Sequence, residues 1–287
     1  MYRKIGRISK SKPTLEGAGV HLKRAFGYNE VPELDPFLLL DDFHSDNPAD
    51  YIAGFPWHPH RGIETVTYML QGRVEHGDSM GNKGVILPGD VQWMTAGSGI
   101  IHQEMPKGHK GNMWGFQLWV NLPSTHKMME PRYREVKKDQ IPQVTIDNDV
   151  LVRVICGEFG DTSGPVRDIV VDPEYLDITM APGTEFEHSI KRKYRAFAYV
   201  IEGSGYFDTD KEKSIGNEHL VIFNDGDKVK ITASDRILRF LLVSGKPLNE
   251  PVAWAGPIVM NTQNELDLAY REYRNGTFIK HKNAELS

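Results

Sequence analysis

Two short pairs of potential metal ligands constrain this chain more than any other feature: His58-Pro59-His60 and His102-Gln103-Glu104. Each pair is spaced i, i+2, and residues at that spacing in a β-strand point to the same face. Two such strands facing each other across a small barrel would bring three imidazoles and one carboxylate to a point. Imidazole and carboxylate are common ligands of divalent transition metals. A single His-x-His is more often a pair of unrelated polar side chains. Two pairs with glycine turns between them weigh against that reading, because a shared cation removes the cost of burying such groups without partners.

The sequence around the pairs reads as strands. Thr65-Val66-Thr67-Tyr68-Met69-Leu70 is β-branched and aromatic. Turn signals recur at Gln71-Gly72, Gly81-Asn82, Leu87-Pro88-Gly89-Asp90 and Gly97-Ser98-Gly99. Short strands divided in this way predict a sandwich or barrel. Upstream, Phe37-Leu38-Leu39-Leu40 is a buried strand candidate, and His44 is expected to be a lone solvated histidine. A charged segment with Pro131 and Pro142 follows the first block, and a second β block then runs to about Val243. The expectation is an all-β chain: a metal-binding barrel over 1–123, a linker over 124–142, and a second barrel over 143–287. The last part should be helical. Thr262-Gln263-Asn264-Glu265 reads as a capping box, Leu266, Ala269, Tyr270 and Tyr273 follow at helical spacing, and Gly276 stops the run. That helix is expected to pack on the outside of a barrel.

The second block echoes the first. Tyr68-Met69-Leu70-Gln71-Gly72 matches Tyr199-Val200-Ile201-Glu202-Gly203, Gly89-Asp90 matches Gly226-Asp227, and Thr95–Ile101 matches Thr232–Leu238. The offset rises by six between the first match and the others, which predicts a longer hairpin in the second copy. Carried through, it sets Ser189, Lys191, Arg239 and Leu241 against the four ligand candidates. His188 falls one residue off, where strand alternation should turn it away. The second barrel is therefore expected to hold no metal.

Composition narrows the function classes. A net charge of −5 argues against nucleic acid as the main partner. The basic run Lys191-Arg192-Lys193-Tyr194-Arg195 then reads as a solvated strand end. The single cysteine, Cys156, lies in the apolar run Leu151–Cys156 and reads as a small buried hydrophobe. The basic amino terminus lacks the apolar stretch of a signal peptide, and no apolar run approaches the roughly 18 residues of a membrane span. The expectation is a soluble, cytoplasmic protein.

Four stretches together carry a resemblance: His58-Pro59-His60-Arg61-Gly62-Ile63-Glu64-Thr65-Val66, Pro88-Gly89-Asp90, Gln92-Trp93-Met94-Thr95-Ala96-Gly97, and Gly99-Ile100-Ile101-His102-Gln103-Glu104-Met105-Pro106. They resemble the pirin family of the cupin superfamily, and the likeness covers nearly the whole chain. It implies two cupin-type β-barrels in tandem, a bicupin, with the metal in the first. Many cupins take a glutamate shortly after His-x-His as a ligand, and Glu64 stands there. In pirins the carboxylate follows the last histidine by two, so the resemblance implies Glu104 as ligand and leaves Glu64 a structural part. Pro106 replaces an asparagine that cupins often carry.

The implied ligand set is His58, His60, His102 and Glu104 around one mononuclear non-haem ion. Iron(II) is the first choice, with nickel, manganese, cobalt, copper or zinc open to the same donors. Some pirins act as quercetin 2,3-dioxygenases. By that resemblance the chain is read first as an oxidoreductase that opens a flavonol with O2, with Glu104 taking the 3-hydroxyl proton as general base. Phe55, Trp57, Trp93 and Trp119 are candidate walls for a flat substrate, though such residues are more often barrel core. The rival reading is a non-catalytic, metal-dependent regulator. Animal pirins resemble transcription co-regulators, and some bacterial relatives modulate metabolic enzymes through a protein partner.

Overall fold

Most central strands are buried along most of their length, as in Phe37–Ser45 and Ile63–Gln71, but the strand that carries the second pair alternates. Ile100–Pro106 buries Ile100, His102, Glu104 and Pro106 while Ile101, Gln103 and Met105 stay half-buried. The computed structural model describes residues 1–107 and 111–281. The chain divides into two units. The amino-terminal unit comprises Pro13–Tyr28, Phe37–Lys138 and Leu248–Ser287, and the carboxy-terminal unit Met1–Lys12, Asn29–Pro36 and Asp139–Pro247.

Each unit has one seven-stranded, one four-stranded and one two-stranded sheet. In the amino-terminal unit the large sheet runs Arg132–Val136, Val91–Thr95, Ile63–Gln71, Met113–Asn121, Phe37–Ser45, Val20–Phe26, Lys12–Glu16. The small sheet runs Phe55–His60, Ile100–Pro106, Val74–Asp78, Lys83–Ile86. The carboxy-terminal unit repeats both orders. Its large sheet runs Ile5–Lys10, His219–Phe223, Arg195–Glu202, Leu238–Gly245, Glu174–Met180, Val150–Cys156, Gln143–Ile146. Its small sheet runs Glu185–Ser189, Lys228–Ala233, Ser204–Tyr206, Ile215–Gly216. The architecture is all-β, with two cupin barrels of one topology.

The repeat is real, but its later register differs from the expectation. Ile63–Gln71 and Arg195–Glu202 hold the same place in their sheets, so the first match stands, and Gly72 and Gly203 both close it at positive φ. The counterpart of Val91–Thr95 is His219–Phe223, and the counterpart of Ile100–Pro106 is Lys228–Ala233. The matches at Gly226 and Thr232 are therefore one strand out of step, and the longer hairpin disappears with them. Glycine–aspartate pairs also occur at Gly77-Asp78 and Gly160-Asp161, so a motif this short fits more than one place.

Domain limits also depart from the sequence division. Ile5–Lys10 pairs antiparallel with His219–Phe223, so the amino terminus belongs to the carboxy-terminal unit. Residues 248–287 belong to the amino-terminal one. The expected linker contains Arg132–Val136, which pairs with Val91–Thr95 as a sheet edge. A strand's membership is set by its partner, which composition does not report. The helix Gln263–Arg274 begins at the expected capping box, with Thr262 and Glu265 exchanging hydrogen bonds. Leu266 and Ala269 pack with Ile258, Met260 and Phe278. His44 lies at the end of Phe37–Ser45, stacked on Trp114 with ring centroids 4.2 Å apart, rather than in a turn. Among the described residues no helix is long and apolar enough to cross a membrane.

Candidate metal centre

Phe55–His60 contains Pro56 and Pro59. Proline cannot donate to a ladder and is tolerated at a sheet edge, which is where this strand lies, against Ile100–Pro106. His58 stands opposite His102 and His60 opposite Ile100. The register then slips, setting Glu104 opposite Phe55 and leaving a bulge over Pro56 and Trp57. The Pro56 carbonyl accepts the Nδ1–H of His58 at 2.8 Å. The Pro257 carbonyl accepts that of His60 at 3.0 Å.

Those two carbonyls fix the tautomers, because a carbonyl only accepts. His58 and His60 each carry the proton on Nδ1 and turn an Nε2 lone pair inward. The two Nε2 atoms are 3.0 Å apart, and His102 Nε2 is 2.9 Å from that of His58. Ring nitrogens of all three residues lie within 4.8 Å of one another. Two lone pairs facing at hydrogen-bond distance repel unless a cation lies between them. An octahedral ion with metal–nitrogen bonds of about 2.1 Å sets neighbouring nitrogens about 3.0 Å apart. The donor set and its spacing fit a divalent transition metal. Burial, with the neighbouring imidazoles adding to it, pushes His60 and His102 well below the ordinary histidine range, which keeps their lone pairs free.

Glu104 lies outside this group of converging atoms. It lines the same cavity as His58 and His60, and its Oε1 accepts from Thr67 Oγ1 at 2.8 Å. Thr67 is also 2.8 Å from Gln117 Oε1. A hydroxyl has one proton, so when it serves the carboxylate the Gln117 amide turns its NH2 toward Thr67. The cavity has a volume of about 650 Å³ and is walled by Phe55, Trp57, Trp119 and Trp254. Trp119 meets His60 edge-on, with centroids 5.1 Å apart. Trp93 is instead wholly buried and, with Thr95, donates to Glu64. Burial raises the Glu64 carboxyl above its usual range, and the residue acts as a core hydrogen-bond hub. Arg24 and Asp41 also line the cavity and form a two-pronged bond at 2.8 and 2.7 Å. Burial holds Asp41 up at about 6 against the pull of that guanidinium.

Behind the histidines stands a buried polar brace that the sequence reading missed. Arg61 donates to Ser98 O, Glu272 Oε2 and Phe278 O at 2.7, 2.7 and 2.8 Å. Its guanidinium stacks 4.2 Å from the Phe278 ring centre. Lys127 Nζ donates to Gly62 O, Asn121 Oδ1 and Val259 O at 3.0, 2.7 and 3.0 Å. With Pro257, these contacts make the chain's last segment part of the centre. The one sequence signal was a cation, Arg61, beside a ligand pair at the head of an apolar run.

In the carboxy-terminal unit the equivalent strands present different residues. Phe186 and His188 alternate inward on Glu185–Ser189, opposite Ile231 and Val229. His188 thus faces the interior, contrary to the expected orientation, because the repeat register was out by an odd number of residues, which reverses the face. Its Nε2 lies 2.9 Å from Glu174 Oε1, and its ring stacks on Phe159. The positions first set against His102 and Glu104, Arg239 and Leu241, belong to a strand of the large sheet. Among the described residues, only His58, His60 and His102 form a cluster of three or more potential ligands.

Fold and site together define a cupin-type metal protein with two barrels. Residues 19–120 match the Pirin family and residues 175–279 match the Pirin C-terminal cupin domain, and the chain belongs to the pirin family. A pirin-like protein of Caulobacter vibrioides is 45% identical over 278 residues, covering 96% of this chain and 99% of that protein. A crystal structure of quercetin 2,3-dioxygenase from Acinetobacter baumannii superposes with a TM-score of 0.90 and 32% identity, covering 97% and 99% of the two chains. A bacterial pirin of Escherichia coli, solved in complex with nickel(II), shares the fold at a TM-score of 0.66 and 20% identity, covering 84% and 99%.

Proposed function

We propose that His58, His60, His102 and Glu104 hold one divalent transition metal, and that this centre opens the ring of a flavonol with O2, as a quercetin 2,3-dioxygenase does. The observation that carries the reading is the set of imidazole lone pairs converging beside an aromatic-walled cavity. The similarity to a quercetin 2,3-dioxygenase structure supports the substrate class. Iron(II) is our first choice, and nickel, manganese, cobalt, copper and zinc suit the same donors. When bound, the metal supplies Lewis-acid stabilisation of the substrate anion.

The chain supplies the rest. Phe55, Trp57, Trp119 and Trp254 sandwich a flat ring system and exclude water. Glu104 receives the proton of the flavonol 3-hydroxyl. Thr67, backed by Gln117, fixes the carboxylate for that transfer. The Pro56 and Pro257 carbonyls keep His58 and His60 in the tautomer that offers Nε2 inward.

Replacing His60 by Ala and Glu104 by Gln tests this. His60→Ala is expected to lose bound metal. Glu104→Gln is expected to lose flavonol turnover by roughly 100-fold or more, the usual worth of a general base. Both variants holding metal and consuming quercetin at the parent rate would end the proposal. Oxygen uptake across a flavonol panel with metal-loaded protein separates an enzyme from a regulator.

A further inference from the structure

Two of the three histidines have a carbonyl to hold their outer nitrogen, and the third does not. His102 Nδ1 is buried and makes no hydrogen bond. The neighbouring strand Val74–Asp78 sets Asp78 opposite His102 and His76 opposite Glu104. His76 is buried, its ring centre lies 5.4 Å from that of His102, and its Nδ1 is also without a hydrogen bond. On its other side, His76 Nε2 lies 3.2 Å from Asp78 Oδ2. Asp78 already accepts from Met80 N–H, Asn82 N–H and the Asn82 amide at 2.9, 3.0 and 2.9 Å, so it is an acceptor. His76 must then donate from Nε2, which leaves its Nδ1 an acceptor. His102, with Nε2 given to the metal, carries its proton on Nδ1 and is a donor. The two buried groups are complementary.

A third unsatisfied group is linked to His76 through Tyr133. Gln92 Oε1 is buried without a partner, and the Gln92 amide donates to the hydroxyl of Tyr133, whose ring stacks on His76 at 4.8 Å. One donor and two acceptors match a single water, which accepts one hydrogen bond and gives two.

We infer that His76 is the positioning residue of metal ligand His102: a buried water takes the His102 Nδ1 proton and donates to His76 Nδ1 and Gln92 Oε1, and Asp78 locks His76 in the tautomer this needs. The inference deepens the proposed metal centre and rests on it. It gives His102 the outer support that Pro56 and Pro257 give its neighbours. Partners of this kind usually change metal affinity by roughly 10- to 100-fold.

The test uses the full chain loaded with cobalt(II), whose visible bands and paramagnetically shifted ring N–H protons report each histidine. His76→Phe removes the acceptor. His76→Gln restores one in a flexible amide, and His58→Ala removes a ligand outright. We expect His76→Phe to bind cobalt(II) roughly 10- to 100-fold more weakly, with one shifted N–H proton moved and exchanging faster with solvent. His76→Gln should recover a substantial part of both. The melting temperature of each metal-free variant registers any loss of fold. Parent affinity, bands and N–H protons in His76→Phe, alongside lost affinity in His58→Ala, would overturn the role of His76 and leave the metal centre standing. Parent-like cobalt binding in His58→Ala would overturn the centre itself.

Discussion

Gly62 and Lys127 show how single residues hold the centre in place. Gly62 turns the chain after His60 at φ +77°, and a Cβ there would meet Val259 O at 2.0 Å. Gly62→Ala therefore incurs both backbone strain and a clash with the strand Ile258–Met260. The cost should exceed about 1 kcal/mol, visible as a melting temperature lower by at least about 2–4 °C. Lys127 is buried behind the same turn, and burial lowers its pKa from 10.5 to about 7, with Glu250 and Glu265 opposing weakly. The unfolded chain keeps this proton up to about pH 10.5, and the folded protein releases it near pH 7. Between those values the unfolded state binds more protons, so this residue makes stability rise with pH, by at most about 1.4 kcal/mol per unit. Below pH 7 its penalty is constant. Urea melts of parent and Lys127→Met from pH 7 to 10 measure the effect. The parent's stability relative to the variant's should rise with pH, and parallel curves would remove Lys127 from the account.

At the scale of elements, the chain's last segment is a working part of the metal barrel. Pro257 steadies His60, Val259 caps the turn at Gly62, and the helix Gln263–Arg274 supplies Glu272 to Arg61. Arg61→Met leaves two buried carbonyls without their donor and Glu272 with Lys280 alone, a change that should cost about 1–3 kcal/mol. Hydrogen exchange should show the helix losing protection first, and metal affinity should fall with it because Pro257 rides on the same segment. Unchanged protection in the helix would show that Arg61 is not its anchor. The helix itself was legible in the sequence because a capping box and a repeat of three to four residues are local. Its attachment was not, since nothing within residues 262–276 names Arg61 as a partner.

Across the whole molecule, the chain ends are exchanged between units. Ile5 and Ile8 pack against the carboxy-terminal core, and Arg3 donates to Lys191, Tyr194 and Asn224 carbonyls there. Deleting residues 1–10 should destabilise that unit by about 2 kcal/mol or more, from lost apolar burial and unsatisfied carbonyls. Limited proteolysis should then cut first near His219–Phe223, while cobalt(II) binding in the other unit persists. Cleavage unchanged from the parent protein would show the amino-terminal strand to be dispensable.

The sequence by itself determined what short-range periodicity can carry. It placed His58, His60, His102 and Glu104 on inward strand faces, and it showed the turns between strands, the helix with its cap, and a duplicated all-β plan. Tertiary structure alone decided which strand pairs with which. That choice placed residues 1–12 and 248–287 in their units, brought Pro257 and Arg61 to the histidines, and turned His188 inward. The physical reason is that strand pairing is non-local while side chains alternate every second residue, so an error of one residue in register reverses every face that follows.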